Sequence, residues 1–149
     1  MELVSMLFRQ AAPADVPALI EIRLAVDENI LSEPNKVTPA LCTDYLTQAG
    51  KGWVCEIDGQ IVGFSIAAIS DASIWALFIK PGFERRGIGT GLLDLAVRWL
   101  FESGAEHVYL TTGSDTRAAR FYENPGWLKT GSTTEGEIAF RLTDPSVLR

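Results

Sequence analysis

Arg85-Arg86-Gly87-Ile88-Gly89-Thr90-Gly91 stands between two apolar runs of opposite periodicity. Before it, Ser73 to Ile79 is rich in aromatic and β-branched residues and is bounded by Asp71 and Pro81-Gly82, which predicts a strand. After it, Ile88, Leu92, Leu95, Ala96 and Trp99 form a stripe at helical spacing, widened by Leu93, Val97 and Leu100. A helix apolar over so much of its girth is buried on more than one side, and Gly104 ends it. His107 to Thr112 reads as a further strand. Strand, helix and strand make a βαβ crossover, with the two strands parallel.

The heptad itself has the chemistry of an anion cradle. The first turn of a helix presents amide N–H groups without intrahelical partners. Glycines let a ligand approach those amides, and the helix dipole favours negative charge there. Arg85 and Arg86 stand just before, where guanidinium groups meet phosphate oxygens. The plainer alternative is a glycine-rich turn that only lets helix and sheet pack closely. Two nucleotide patterns fail. A P-loop needs Gly-Lys-Ser/Thr, and a dinucleotide fingerprint needs a third glycine where Leu92 stands.

Outward from this centre, the spacing predicts a short first strand around Phe8 and a helix from Asp15 to Glu28, with Asp15 as N-cap and Pro17 in its first turn. Asn29 to Lys36 reads as a loop. Thr38-Pro39 caps a second helix through Leu41, Tyr45, Leu46 and Ala49, ended by Gly50. Trp53 to Ile57 and Gln60 to Ala68 are strands joined at Asp58-Gly59, a hairpin signal. A short helix from Thr116 to Glu123 and strands around Leu128–Thr130 and Glu137–Leu142 follow. The expected class is α+β, one mixed sheet with helices on both faces.

The chain has 149 residues, 47% of them hydrophobic and 21% charged, which suits one globular domain. A net charge of −6 repels nucleic acid, so any phosphate site must be local. The same charge weakly favours cationic acceptors such as amines. No run approaches the ~20 apolar residues that cross a bilayer, and the N-terminus does not read as a secretory signal. A cytoplasmic protein is expected. Cys42 and Cys55 lack CxxC spacing and read as buried free thiols. With His107 the only histidine, no metal site is expected.

The segment Leu77 to Leu93 resembles the acetyl-CoA-binding motif of the GNAT N-acetyltransferase superfamily: Gln or Arg, two residues, Gly, one residue, Gly or Ala, after a strand. Gly87 and Gly89 match it, while Glu84 replaces the usual Gln or Arg. Asp115-Thr116-Arg117-Ala118-Ala119-Arg120-Phe121-Tyr122-Glu123-Asn124-Pro125-Gly126-Trp127 resembles the family's later motif, with Asp115 in place of Asn and Pro125 in place of a common Leu. The order of elements is similar over nearly the whole chain. The resemblance implies a single N-acetyltransferase domain over 1–149, with a core of about 7–143. Its central sheet would be mostly antiparallel, with a splayed parallel strand pair.

It also implies acetyl-CoA as co-substrate and no metal. The pyrophosphate would lie on Arg85, Arg86, Gly87, Ile88, Gly89, Thr90 and Gly91, and the pantetheine arm along Leu77, Phe78 and Ile79. Asp115, Ala118 and Phe121 would complete the cofactor contacts. The amide of Phe78 or Ile79 is expected to face the thioester oxygen, and Tyr122 to act as general acid toward the leaving thiolate. The base is open between Asp71, Glu28, Glu33 and a water chain. His107 lies at the wrong end of its strand for chemistry, and Trp53 and Trp75 are core aromatics unless they line the acceptor pocket. The remaining acids and arginines read as solvated faces. The acceptor is a primary amine of a small molecule or peptide, and a homodimer is compatible. A non-catalytic acyl-CoA sensor of the same fold is the rival reading, and a nicotinamide-dependent oxidoreductase a third.

Overall fold

The computed structural model describes residues 6–26, 38–113, 127–132 and 137–143. Through them run β1 (Met6–Gln10), α1 (Val16–Ala25), α2 (Pro39–Thr47), β2 (Gly50–Ile57), β3 (Gln60–Ala68), β4 (Ser73–Ile79), α3 (Ile88–Glu102), β5 (Val108–Gly113), β6 (Trp127–Ser132) and β7 (Glu137–Leu142). The strands form one seven-stranded sheet in the order β1-β2-β3-β4-β5-β7-β6. Every neighbouring pair is antiparallel except β4 and β5, which are parallel. The mixed sheet and its parallel pair are those expected. The helix expected over Thr116 to Glu123 lies outside the described residues.

Two apolar clusters, one on each face, hold the layers together. α3 buries Ile88, Leu92, Leu93, Ala96, Val97 and Leu100 against Cys55, Val62, Val108, Phe140 and Leu142. On the other face, α1 and α2 pack Val16, Leu19, Ile22, Cys42 and Leu46 against Val54, Phe64, Ile66 and Ala76. β2, β3 and β4 split their side chains between the two clusters, as strands covered on both sides require. The β2–β3 hairpin turns at Asp58 and Gly59, with φ of 53° and 83°, the left-handed pair of a type I′ turn.

Two contacts seat the start of α3 on β3. Ser65 is fully buried and its hydroxyl donates to Leu92 O at 3.0 Å. Gly63 has no side chain because a Cβ there would stand 3.0–3.2 Å from Ile79, Leu92 and Ile88. Neither residue signals this role in the sequence, since both contacts cross the sheet–helix layer.

Three local expectations are corrected. Asp15 stands at the N-cap of α1 as expected, but its carboxylate makes no capping bond: it accepts the Ala12 N–H at 2.8 Å and is gripped by Arg9 of β1, which also pairs with Glu56. α1 stops at Ala25, where Val26 turns extended. Gly50 does not end α2, which stops at Thr47; it opens β2, where an added Cβ would stand 1.8 Å from Ala67 O. Thr38 does cap α2, its hydroxyl accepting the Leu41 N–H at 3.2 Å. Cys42 and Cys55 are buried free thiols. Among the described residues no helix is long and apolar enough to cross a membrane.

Candidate functional site

The parallel pair is joined at one point. Ser73 pairs with Tyr109, and the Tyr109 N–H donates to Ala72 O at 2.9 Å. Past that point β5 pairs only with β7, from Val108↔Leu142 to Gly113↔Glu137. β4 stays with β3, but the register jumps: Ile66 faces Ala76 and Ala67 faces Ile74, leaving Trp75 as the extra residue of a bulge. A bulge bends and twists its strand, and this one stands where β4 leaves β5. It also puts the consecutive Trp75 and Ala76 on the same face, toward α1 and α2.

The splay exposes one edge of β4, and hydrogen-bond parity decides which peptide groups line it. The Lys80 N–H donates to Val62 O at 2.7 Å, toward β3. Groups alternate along a strand, so those of Phe78 also face β3, while those of Leu77 and Ile79 face the edge that β5 has left. This corrects the expectation for Phe78, whose amide is turned away from the gap. Its side chain lies on the α1/α2 face, and those of Leu77 and Ile79 pack on the α3 side.

From Ile79 the chain passes directly into the glycine-rich loop. Gly82, Arg85 and Gly87 have φ of 96°, 65° and 80°. Such left-handed residues among right-handed ones turn successive amides to one side and form a nest. Glu84 does not project into the entrance: its carboxylate accepts the Gly82 N–H at 2.9 Å and closes the loop on itself. Arg86 lies over the Phe83 ring, 5.1 Å from Cζ to centroid, and both arginines are exposed.

Gly87 is the N-cap of α3, and no side chain caps the helix. The N–H groups of Ile88, Gly89 and Thr90 therefore have no hydrogen-bond partner among the described residues. The glycines divide by role. A Cβ on Gly87 would meet nothing, and on Gly89 only Ile79 Cδ1 at 4.0 Å, so the space in front of these amides is left clear. Gly91 differs: a Cβ would stand 2.7 Å from the Phe8 ring, and its N–H donates to Gly87 O at 3.1 Å. Its geometry is that of packing β1 against α3. A diphosphate fits the clear part of this cradle, which offers three amide donors, two guanidinium groups and, among the described residues, no carboxylate turned inward.

Above the gap, on the α1/α2 face, lie aromatic rings and one cation. Trp75 stacks on Tyr45 of α2 with centroids 4.3 Å apart, and Phe78 packs against Phe64. Arg23 of α1 is only 7% exposed and sits over the Phe78 ring, 5.2 Å from Cζ to centroid. Arg23, at the same helical spacing as Val16 and Leu19, is thus buried beside the splay. Trp53, in contrast, is a core residue packed edge-on against Trp99. His107 stands at the closed end of β5, its Nδ1 2.9 Å from Thr143 Oγ1, and Asp71 accepts the Ser73 hydroxyl at that same end. Tyr122, Asp115, Ala118, Phe121, Glu28 and Glu33 lie outside the described residues. No group of acids, cysteines and histidine among the described residues could hold a metal.

The sequence profile of the acetyltransferase (GNAT) family matches residues 17–127. The chain belongs to the GNAT acetyltransferase family. It is 33% identical over 85 residues to an uncharacterized N-acetyltransferase of Methanocaldococcus jannaschii, a match covering 50% of this chain and 38% of the relative. It is 28% identical over 95 residues to the peptidyl-lysine N-acetyltransferase YiaC of Escherichia coli, covering 59% of this chain and 62% of the relative. The matches thus span less than two thirds of either relative. The PaiA N-acetyltransferase of Thermoplasma acidophilum, crystallised with coenzyme A, shares this fold with a TM-score of 0.81 at 17% identity, over 94% of this chain and 99% of that one.

Proposed function

We propose that this GNAT domain transfers an acetyl group from acetyl-CoA to a primary amine by direct attack. One observation carries the reading: the uncapped amides of Ile88, Gly89 and Thr90 adjoin a β4 edge, at Leu77 and Ile79, whose peptide groups have lost their partner strand. A phosphate-binding loop and an open strand edge, end to end, suit a ligand with a diphosphate at one end and an amide-bearing arm at the other. The family and the coenzyme A in a structural relative support the same ligand.

Acetyl-CoA supplies the activated acyl group as a thioester. In this reading the amides of Ile88, Gly89 and Thr90, with Arg85 and Arg86, hold the diphosphate by charge-assisted hydrogen bonds. Ile79, next to the loop, pairs with the arm. The acyl end lies farther from the loop, so the Leu77 N–H meets the thioester oxygen and stabilises charge developing there. That donor is fixed by the sheet and needs no reorganisation. Tyr122 gives its proton to the departing thiolate, the role implied by its place in the family motif, and the attacking amine gives up its proton to water.

The test is thiol release over a panel of small-molecule and peptide amines. Release that depends on both acetyl-CoA and amine is expected, and Tyr122→Phe is expected to lower it by about 10²-fold with acetyl-CoA affinity kept within a few-fold. Binding without release on any amine points instead to the sensor. Unchanged turnover in Tyr122→Phe removes that residue from the mechanism.

A further inference from the structure

Arg23 has an unusual setting. It belongs to a helix whose buried positions are otherwise Val16, Leu19 and Ile22. An arginine is rarely this buried unless paired; here the stem is enclosed while the charged head keeps a small contact with water. Among the described residues Arg23 has no carboxylate within ion-pair distance and donates no hydrogen bond; its one polar contact is the face of Phe78. A cation–π contact is worth roughly 0.5–2 kcal/mol and leaves the guanidinium N–H donors unused among the described residues.

Its position bears on the reaction proposed above. Phe78 lies between Leu77 and Ile79, whose peptide groups line the gap. The α3 face of those residues is filled by Ile88, Leu92 and Leu93. With the α3 side filled, the acceptor amine in this reading comes to the Leu77–Ile79 edge from the α1/α2 face, where Arg23 stands on Phe78 and where Tyr45 and Trp75 stack. The net charge of −6 acts at long range and favours cations. Around the Phe78 ring the guanidinium is the nearest charge among the described contacts and favours an anion.

We infer that Arg23 binds a carboxylate carried by the acceptor, so that the substrate is a compound bearing both a primary amine and a carboxylate. The guanidinium, held over Phe78, presents its nitrogens to the carboxylate oxygens and fixes the amine relative to the thioester. The inference rests on the acetyltransferase reading and names its substrate class.

The test uses matched acceptors, the common amino acids and their carboxamides, with thiol release measured on each pair and acetyl-CoA affinity measured separately. Wild type is expected to prefer the acid by roughly 10- to 100-fold in kcat/KM, the range of a charge-assisted hydrogen bond. Arg23→Met, which keeps the apolar stem on Phe78, is expected to bring the ratio near one while acetyl-CoA affinity stays within a few-fold. Arg23→Lys is expected to retain part of the preference, which a purely packing role does not predict. Equal use of acid and amide by wild type overturns the inference, as does a preference surviving in Arg23→Met, or no acetylation of either series by protein that binds acetyl-CoA. Failure to bind acetyl-CoA overturns the acetyltransferase reading instead.

Discussion

Ser73 and Tyr109 are the one register pair between β4 and β5 among the described residues, and the peptide groups of Leu77 and Ile79 face the gap beyond it. Pairing at the closed end fixes the strands, and the Trp75 bulge turns β4 away from β5. The consequence is a strand whose residues alternate between structural and free amides.

That alternation makes proline a discriminating probe, because proline removes an N–H. Phe78→Pro deletes a bond to β3 and a ring packed on Phe64, and is expected to cost more than about 3 kcal/mol. Leu77→Pro deletes an N–H that no strand uses. It is expected to stay folded, with thiol release down about 10²-fold. Thermal melts and turnover check the pair; equal destabilisation by both contradicts the parity.

The glycines of the loop separate stability from binding. Gly89→Ala puts a Cβ where only Ile79 Cδ1 lies near, at 4.0 Å. It is expected to stabilise the helix by about 0.5 kcal/mol while acetyl-CoA affinity stays within a few-fold, since the family motif takes Gly or Ala at this position. Gly91→Ala drives a Cβ to 2.7 Å from the Phe8 ring and is expected to destabilise by about 1–3 kcal/mol without weakening binding by the folded protein. Melting curves and titrations of both variants read the two effects apart.

Features set by neighbours in sequence were legible from it, and features set across the sheet were not. Asp58-Gly59 specifies its own turn, and Gly87 and Gly89 stand in a local motif. Gly50 followed a helical pattern and read as its stop, but its requirement comes from Ala67 O, on the next strand. Asp15 had the composition of an N-cap, yet Arg9 of β1 competes for its carboxylate. The Trp75 bulge is a two-against-one count fixed by β3, so β4 alone does not reveal it. Arg23 falls at the spacing of Val16 and Leu19, so its burial was legible, but its contact with Phe78 is set by the packing of α1 over β4.

The Arg9–Asp15 pair predicts an acid limb in stability. Two contacts of 2.9 Å from the Arg9 guanidinium hold the Asp15 carboxyl below its ordinary value of 3.8. The unfolded chain titrates at that ordinary value, so the stabilisation is full above it and is lost as pH falls through the lowered folded value. Asp15→Asn is expected to cost about 1 kcal/mol at neutral pH, discounted because Arg9 keeps 35% side-chain exposure, and to flatten the loss in acid. Denaturant titrations from pH 7 to pH 2 check this.

Cys42 predicts an alkaline limb of the opposite sign. Burial pushes its thiol from 9.0 up to about 11. Its contribution is full below the ordinary value and is lost as pH rises toward 11. Burial also raises Cys55, with Glu56 adding to it. Since the thiolate is the reactive form, the native protein is expected to react with a thiol reagent at pH 8 only on the timescale of unfolding. Immediate stoichiometric labelling of native protein contradicts this burial.

The reading of the loop as the phosphate-binding half of the site is tested most directly by calorimetric titration of acetyl-CoA into wild type and Gly87→Val. Gly87 has a φ of 80° and begins the run of free amides, so a valine there is strained and distorts the cradle while α3 stays anchored by Ile88 and Leu92. Saturable one-to-one binding by wild type is expected, weakened at least about tenfold in a variant that still melts cooperatively, the loss of roughly one charge-assisted hydrogen bond. Equal affinity in the two proteins contradicts the assignment of this loop.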